Sequence, residues 1–311
     1  MTYLASVLII VFFCTANDIH ADTEHHHCQV SEKPILQVLG SGGPIADDGR
    51  ASSGYLIWIN GKSRILVDTG GGVFLRFGET GARFDDLDHI AISHFHTDHS
   101  TDLVALLKSG YFSDRSRGLS ISGPSGGGDY PGTTEYLERL LGAARGTYAY
   151  LDGYLDGSAG LVKLNPVEVD PTLRHISRVY LSPTGDIEVF AQGVSHGPVP
   201  ALAYRIQIGR YSIVFYGDQN GSSKAFVNFA RDADVLVMHM PVPENISGAG
   251  RKLHAPPSVI GKIAAQTGTG NLVLSHFMSR SLANKEENLE AIRLSYFGSL
   301  VSANDLDCIE F

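Results

Sequence analysis

Short apolar runs of β type recur along the chain from Ile35 onwards, and helical patterns interleave with them. The runs that predict strands are ILQVLG, YLIWIN, SRILVDT, HIAISH, LSIS, IEVFAQGVSH, LAYRIQI, YSIVFYGD, DVLVMH and NLVLSH. The helical candidates are Thr101–Lys108, Thr133–Leu141, Ser223–Arg231, Pro257–Gln266 and Asn284–Tyr296. Hairpin-like strands precede helices in the first half, and the second half repeats that order. The sequence therefore predicts two packed sheets with helices outside.

One segment, ISHFHTDHSTDL, places four metal-binding side chains within six residues: His94, His96, Asp98 and His99. His94 ends the strand HIAISH, and His96 points the same way because side chains alternate along an extended chain. Asp98 and His99 follow as the chain turns into the next helix. One ion could hardly take all four side chains and keep open positions, whereas two neighbouring ions could share them.

Three later strands also stop at a single side chain that can bind a metal. They end at His196, Asp218 and His276, and a glycine before Asp218 allows a sharp turn. A lone histidine at a strand end is more often structural than a ligand. Four such ends in one chain, counting His94, favour a shared metal site.

These motifs resemble the metallo-β-lactamase superfamily, and within it the tRNase Z-like branch of phosphodiesterases and arylsulfatase-type hydrolases. The segments VLGSGGP, LVDTGGG and SHFHTDH are similar to the opening turn, the aspartate-glycine loop and the H-x-H-x-D-H signature of that branch. GVSHGPVPALAYRI, FYGD and LSHFMSR match its later ligand positions. The resemblance spans residues 35–311 and implies an α/β fold, a four-layer αββα sandwich with metals at one edge between the sheets.

The resemblance also implies a catalytic centre with two zinc ions, for which manganese or iron could substitute. The implied ligands are His94, His96 and His196 for one ion, Asp98, His99 and His276 for the other, and Asp218 as the bridge. Asp68 would buttress the site. Two cations that share a hydroxide lower its pKa and polarise the substrate oxygen, and Asp98 would orient that hydroxide or act as base.

Two further residues are candidates for contact with the substrate. His254 is expected to give a proton to the leaving alkoxide, as a histidine at this place does in tRNase Z-like enzymes, with a loop histidine at the pocket mouth as the alternative. Its glutamate partner is missing, because VMHMPV has His239 at the motif's histidine but Met240 at the glutamate position. Arg280 would face an anionic group, with a surface ion pair as the structural alternative. The Gly/Tyr-rich stretch from Gly123 to Gly160 is the expected lid or substrate loop.

Charge decides the expected substrate. The formal net charge is −9, and neither a basic stripe nor a basic insertion that could serve as a tRNA-holding arm is visible. The sequence thus predicts a small-molecule ester substrate and no nucleic acid: a phosphodiester first, with an aryl sulfate or a lactone as alternatives. The sequence does not define an oligomeric state.

Two readings from other classes compete with the metallohydrolase. One is a serine hydrolase that uses Ser125 in GPSGG, but a nucleophile elbow needs a helix directly after the serine and GGDYPG continues as loop. The other is a non-catalytic zinc-binding module, which is disfavoured because every ligand position is filled.

The first residues have the features of a targeting segment. Leu4–Phe13 is uncharged and apolar but too short to span a bilayer, and small residues offer cleavage after Ala16 or Ala21. An uncleaved anchor is the alternative. We therefore expect residues 1–21 to be a signal peptide, 22–33 a flexible mature N-terminus and 34–311 the catalytic domain, exported to the periplasm or secreted without a stable membrane span. In an oxidising compartment Cys28 and Cys308 can form a disulfide.

Overall fold

The computed structural model describes residues 26–311, and its strands form two seven-stranded mixed sheets. The strands are β1 (Ile35–Gly40), β2 (Gly54–Ile59), β3 (Lys62–Val67), β4 (His89–Ala91), β5 (Leu119–Pro124), β6 (Leu164–Val169), β7 (Ser177–Leu181), β8 (Ile187–His196), β9 (Val199–Ile208), β10 (Tyr211–Phe215), β11 (Val235–His239), β12 (Asn271–Ser275), β13 (Ser299–Ser302) and β14 (Cys308–Glu310). The first sheet has the order β14-β1-β2-β3-β4-β5-β6 and the second β13-β12-β11-β10-β9-β8-β7. Each half of the chain therefore builds one sheet, apart from the last strand, which returns to the first.

Helices cover the outer face of each sheet. They are α1 (Val73–Glu79), α2 (Thr97–Ser100), α3 (Leu103–Gly110), α4 (Thr133–Leu141), α5 (Gly153–Asp156), α6 (Lys224–Phe229), α7 (Gly248–Leu253), α8 (Pro257–Thr267), α9 (Ser279–Leu282) and α10 (Lys285–Arg293). Single 3₁₀ turns lie at Phe84–Asp86 and Ala149–Leu151.

Three apolar cores separate the layers. The central core joins the facing sides of the two sheets, for example through Tyr55 of β2 and Tyr204 of β9. A second core packs Leu107 of α3 against the first sheet, and a third packs Ile260 of α8 against the second. Because an amphipathic helix must bury its apolar stripe against a sheet, three cores define four layers. The predicted αββα sandwich is confirmed.

The predicted helix Thr101–Lys108 is wrong in its start. The chain turns into α2 four residues earlier, at Thr97, and α3 begins separately at Leu103. Asp102 lies between the two helices, and its carboxylate accepts hydrogen bonds from the backbone N–H groups of Gly72 and Phe74 at 2.8 and 2.9 Å. Because its carboxylate is held by α1, Asp102 separates α2 from α3 and the two do not form one continuous helix. By contrast, α4 has the predicted bounds.

The direction of the strands brings their carboxyl ends to one edge. Strands β3, β4 and β5 run parallel in the first sheet, and β10, β11 and β12 run parallel in the second. Since the carboxyl ends of parallel strands face the same side, the loops after β3, β4, β10, β11 and β12 meet across the gap between the sheets. The turn between β8 and β9 joins them there.

Cys28 and Cys308 form a disulfide with their Cα atoms 5.7 Å apart. This bond fastens the described part of the N-terminal segment to β14, which pairs with β1 at the edge of the first sheet. His26 adds a backbone hydrogen bond to Glu79 at 2.9 Å. The predicted signal peptide, 1–21, lies outside the described residues. Within residues 26–311, no helix has the length and apolar character needed to cross a bilayer.

The predicted lid from Gly123 to Gly160 contains regular structure that packs against the first sheet. It contains α4, a 3₁₀ turn and α5, whose apolar side chains Leu137, Leu151 and Tyr154 are buried against the first sheet. Burial of these side chains fixes the segment, so only the loop 125–132 is left to approach the site.

Candidate metal centre

Histidine and aspartate side chains from several strand ends converge at the edge between the sheets. In one group, ligand atoms of His94, His96, His196 and Asp218 lie within 4.8 Å of one another. His94 and His96, two residues apart after β4, bring their ring nitrogens Nε2 and Nδ1 to 3.0 Å. The extended backbone that the sequence predicted here therefore does point both rings to the same side.

A second group lies beside the first and shares the aspartate. His99, Asp218, His239 and His276 also place ligand atoms within 4.8 Å of one another. Asp98 faces the same group, with its Oδ2 3.2 Å from His276 Nε2. The Asp218 carboxylate reaches both groups, because its Oδ2 lies 3.6 Å from His196 Nε2 and 3.7 Å from His99 Nε2.

Asp218 occupies this central place because of the turn that precedes it. Gly217 has a φ of 66°, and a Cβ atom there would lie 2.7 Å from the carbonyl oxygen of Leu202. Only glycine fits such a turn without strain. The glycine noted in the sequence thus directs the aspartate from the end of β10 into the gap between the sheets.

Asp68 lies below the histidines, at the end of β3. Its carboxylate accepts hydrogen bonds from the backbone N–H and the hydroxyl of Ser93 at 2.7 and 2.8 Å, and its Oδ2 lies 2.7 Å from His99 Nδ1. Asp68 and His276 both have positive φ angles, 57° and 55°. Non-glycine residues rarely adopt this conformation, and such strain concentrates at functional sites.

The donor set fits a cation. A carboxylate can only accept, so His99 carries its proton on Nδ1 towards Asp68; His196 likewise donates from Nδ1 to the carbonyl of Leu253 at 3.1 Å. The Nε2 lone pair of His196 then faces Asp218 and has no hydrogen-bond partner in the described chain, while His99 Nε2 lies 3.1 Å from His276 Nε2 and 3.7 Å from Asp218 Oδ2. Lone pairs that converge on a buried carboxylate require a positive charge between them, and imidazole with carboxylate is a typical zinc donor set.

The pKa directions show how strongly these carboxylates attract positive charge, whether as a cation or as a proton on His99. Burial opposes a charge on His99, but the carboxylates of Asp68, Asp98 and Asp218 outweigh it and raise the pKa of His99 to about 9. Burial would raise the pKa of Asp218, yet His276 and the other imidazoles around it hold that pKa well below its usual range. The carboxylates are therefore ionised and the pocket attracts positive charge.

A cleft of about 480 Å³ opens over the two groups. Its lining includes Pro44, Phe95, His96, Asp98, His196, Asp218, His254, His276, Met278 and Arg280. Tyr130 of the loop 125–132 stands at its side, with its ring centroid 6.2 Å from that of His96. The cleft is large enough for part of a substrate chain to reach the ligands.

Both predicted substrate-contact residues line this cleft. His254 is buried, with Nδ1 3.9 Å from Asp218 Oδ2, and burial lowers its pKa to about 3 with help from His276 and His196. A neutral His254 donates a hydrogen bond rather than carrying a positive charge. Arg280 is exposed, and its Nε donates to the carbonyl of Pro241 at 3.0 Å. Within residues 26–311 it has no carboxylate partner, so the alternative of an ion pair fails.

His239 is the site residue that the sequence analysis missed as a member of the centre. It ends β11 just as the predicted ligands end their strands, and its Nδ1 lies 2.7 Å from Asp218 Oδ1. The run DVLVMH, an apolar strand that stops at a histidine, carried that signal. Met240, at the glutamate position of the family motif, is fully buried in the apolar core.

The serine-hydrolase alternative has no support in the structure. Ser125 follows β5 in an exposed loop, and the next helix begins only at Thr133. The strained strand-to-helix turn that activates such a serine is therefore lacking in this segment.

Fold and site together define a metal-dependent hydrolase of the phosphodiesterase type. Residues 63–277 match the family model described as the beta-lactamase superfamily domain, and the chain belongs to this family. It is 26% identical over 293 residues to Ribonuclease Z of Mycobacterium marinum, an alignment that covers 88% of this chain and 98% of the relative. The family and these relatives place it in the tRNase Z-like branch of the metallo-β-lactamase hydrolases, as predicted.

Solved structures show the same fold. The metallo-β-lactamase fold protein YhfI from Bacillus subtilis superposes with a TM-score of 0.69 at 22% identity, over 89% of this chain and 99% of that one. The short form of human tRNase Z superposes with a TM-score of 0.68 at 18% identity, over 89% of this chain and 98% of that one.

The prediction of a small-molecule ester substrate and no nucleic acid is wrong, because the curated relatives are named Ribonuclease Z and match nearly the full domain. The error has a physical cause. Net charge sums over the whole surface, whereas recognition of a polyanion depends on the few charges that surround the cleft.

Proposed function

We propose that this protein is a ribonuclease that hydrolyses phosphodiester bonds of RNA at the cleft above Asp218. The observation that carries the proposal is the convergence of imidazole and carboxylate donors into two groups with one shared carboxylate, at the floor of an open cleft. The name shared by the curated relatives supports RNA as the substrate.

Cationic side chains around the cleft support a polyanionic substrate. Arg280 lines the cleft, and Arg251 and Lys252 lie in the last turn of α7, three and two residues before His254. Arg174 lines a neighbouring cleft, with its guanidinium 3.3 Å from the hydroxyl of Ser195, next to His196. In residues 26–311 none of these four cations pairs with a carboxylate, so all are available for phosphate groups.

The α7 end is fixed against the metal ligands. The carbonyl of Leu253 accepts from His196, the carbonyl of Lys252 accepts from the side-chain amide of Asn220 at 2.9 Å, and Arg251 donates to the carbonyl of Asn220 at 3.0 Å. These bonds hold the basic segment at a set distance from the site. A phosphate next to the scissile bond would meet preorganised positive charge there.

We further propose two zinc ions, the first held by His94, His96 and His196, the second by Asp98, His99 and His276, with Asp218 between them. When bound, such ions supply Lewis acidity towards a phosphoryl oxygen and lower the pKa of water. Burial opposes ionisation of Asp98, but His99 and His276 outweigh it and hold its pKa below the usual range. An ionised Asp98 can accept the proton of the attacking water.

The test of the function is a direct comparison of substrates. The purified protein is loaded with zinc and then incubated in separate reactions with five substrates: precursor tRNA, unstructured RNA, DNA of the same sequence, bis(p-nitrophenyl) phosphate and p-nitrophenyl sulfate. We expect RNA cleavage that a chelator stops, that zinc restores and that a serine-directed inhibitor leaves unchanged. Intact RNA together with turnover of the aryl sulfate would overturn the proposal.

A variant of His254 tests the group that faces the substrate. His254→Ala should lower kcat on RNA by about 100-fold, at the low end of what proton transfer and hydrogen bonding to a reacting oxygen contribute. Metal content should stay at the wild-type value, since His254 is outside the proposed ligand set. His175→Ala, at an exposed histidine beside Arg174, is the control. Equal kcat in the two variants would remove His254 from the reaction.

Export remains a proposal of ours, with residues 1–21 as a cleaved signal peptide and 34–311 as the catalytic domain. The disulfide between Cys28 and Cys308 supports it, because structural disulfides persist in oxidising compartments.

A further inference from the structure

A chain of polar side chains crosses the central core and ends on the shared carboxylate. Tyr55 belongs to β2 of the first sheet, whereas Ser275 and His239 end neighbouring strands of the second. The Tyr55 hydroxyl lies 3.0 Å from Ser275 Oγ and 3.1 Å from His239 Nε2, and His239 Nδ1 lies 2.7 Å from Asp218 Oδ1. All four side chains are at least 97% buried, so solvent cannot replace these bonds.

The chemistry of the acceptors fixes the direction of this chain. A carboxylate only accepts, so the proton of a neutral His239 is on Nδ1, towards Asp218. His239 Nε2 is then an acceptor, and the Tyr55 hydroxyl is its donor. Tyr55 has one hydrogen, which leaves its oxygen to accept from the Ser275 hydroxyl. Every hydrogen therefore points along one path, from Ser275 to Asp218.

The bond from His239 sets which way the Asp218 carboxylate faces. Oδ1 accepts from His239 and lies 3.5 Å from His276 Nε2, while Oδ2 lies 3.6 to 3.9 Å from ring nitrogens of His196, His99 and His254. Rotation of the carboxylate would break the bond at Oδ1. The orientation of Asp218 is thus set by the N–H of His239, and the Tyr55 hydroxyl on the opposite sheet holds the other nitrogen of that ring in place.

We propose that Tyr55, supported by Ser275, is a positioning residue for metal binding: it donates to His239 Nε2, holds the ring with its N–H towards Asp218, and so keeps Asp218 between the two groups of ligands. Tyr55 does not line the cleft and is not among the proposed ligands. Groups that orient a metal ligand typically contribute a factor of about 10 to 100 in metal affinity. This inference rests on the metal centre and does not depend on RNA as the substrate.

Tyr55→Phe isolates the hydroxyl, because the ring still packs on Phe215 at a centroid distance of 5.2 Å. We expect zinc affinity, measured by competition with a chromogenic chelator, to fall about 10- to 100-fold. The matched control is Tyr154→Phe, which removes an equally buried hydroxyl that donates to the carbonyl of Leu107 at 2.8 Å, away from the site. The control should keep wild-type affinity. Zinc affinity within twofold of wild type in Tyr55→Phe would overturn the proposal.

A double-mutant cycle separates positioning from a general packing effect. His239→Asn keeps an N–H donor near Asp218 but removes the nitrogen that meets Tyr55. If Tyr55 acts through His239, Tyr55→Phe should cause no further loss of zinc affinity in the His239→Asn background. An undiminished further loss would show that Tyr55 acts by another route. Ser275→Ala gives a second measurement of the same path, should Tyr55→Phe fold poorly, and an unchanged zinc affinity there would count against the path.

The assay needs no substrate, so its outcome is independent of the proposed function. A protein that binds zinc as expected but leaves RNA intact would overturn the ribonuclease proposal and keep the positioning role. If the wild type cleaves RNA but Tyr55→Phe binds zinc with unaltered affinity, the ribonuclease proposal stands and the positioning role is overturned.

Discussion

Replacement of Asp218 by asparagine is expected to abolish RNA hydrolysis, with kcat/KM at least about 1,000-fold lower. The magnitude follows from the several kcal/mol that paired cations contribute to such a reaction, since each 1.36 kcal/mol is tenfold in rate. Asparagine has nearly the same shape but no charge, and Asp218 is the only carboxylate that belongs to both ligand groups in the described chain. Without it, the imidazoles of His196 and His99 would face the ions with too little negative charge nearby.

Metal analysis gives the independent measurement for this variant. We expect the zinc content of purified Asp218→Asn to fall from two ions to one or fewer. The control is Asp234→Asn, at an aspartate that binds the backbone N–H of Ser212 at 2.7 Å, where β10 and β11 begin, opposite the site. Wild-type zinc content and turnover in Asp218→Asn would exclude this residue from the centre.

Loss of the disulfide is expected to lower the free energy of unfolding by about 2–4 kcal/mol, with about 4–5 kcal/mol as the upper limit for so long a loop. Cys28 and Cys308 are 280 residues apart, so the bond constrains nearly the whole unfolded chain. It also holds β14, a strand of three residues at the sheet edge. Without the bond this strand should detach first.

Denaturant unfolding of the Cys28→Ala/Cys308→Ala protein, compared with the wild type, measures that loss. A reductant should destabilise the wild type to the same extent and leave the double variant unchanged. Thiol titration of the denatured, unreduced protein should find neither cysteine free. Two free thiols from these positions would contradict both the bond and the proposal of an oxidising location.

Local sequence carried most of the information about the first ligand group. His94, His96, Asp98 and His99 are close along the chain, and a strand end followed by a helical turn places them together whatever surrounds them. Helix α4 was likewise predicted with its observed bounds, because its apolar spacing and flanking glycines are local features. The break between α2 and α3 was not predicted, because it depends on a contact of Asp102 with α1, which lies about thirty residues earlier in the chain.

The substrate prediction failed for a related reason. The net charge of −9 is a property of composition, and it argued against RNA. Many charges on this chain cancel in local ion pairs, such as Arg76 with Glu79. Arg280 lines the cleft, Arg174 contacts the residue before His196, and Arg251 and Lys252 lie just before His254, all without carboxylate partners in the described structure. Electrostatic attraction acts over a few ångströms to about 10 Å, so placement outweighs the total.

The sequence by itself determined that strands would stop at metal-binding side chains, because strand periodicity and a terminal histidine or aspartate are both local features of a short segment. Only the tertiary structure decided which of these ends meet. His239 and His276 join the centre because β11 and β12 run parallel beside β10, and Tyr55 reaches them because the two sheets pack face to face. Contacts between residues far apart in the chain depend on strand order and layer packing, which no local pattern specifies. The shared position of Asp218 is therefore a property of the fold, although the residue itself was visible in the sequence.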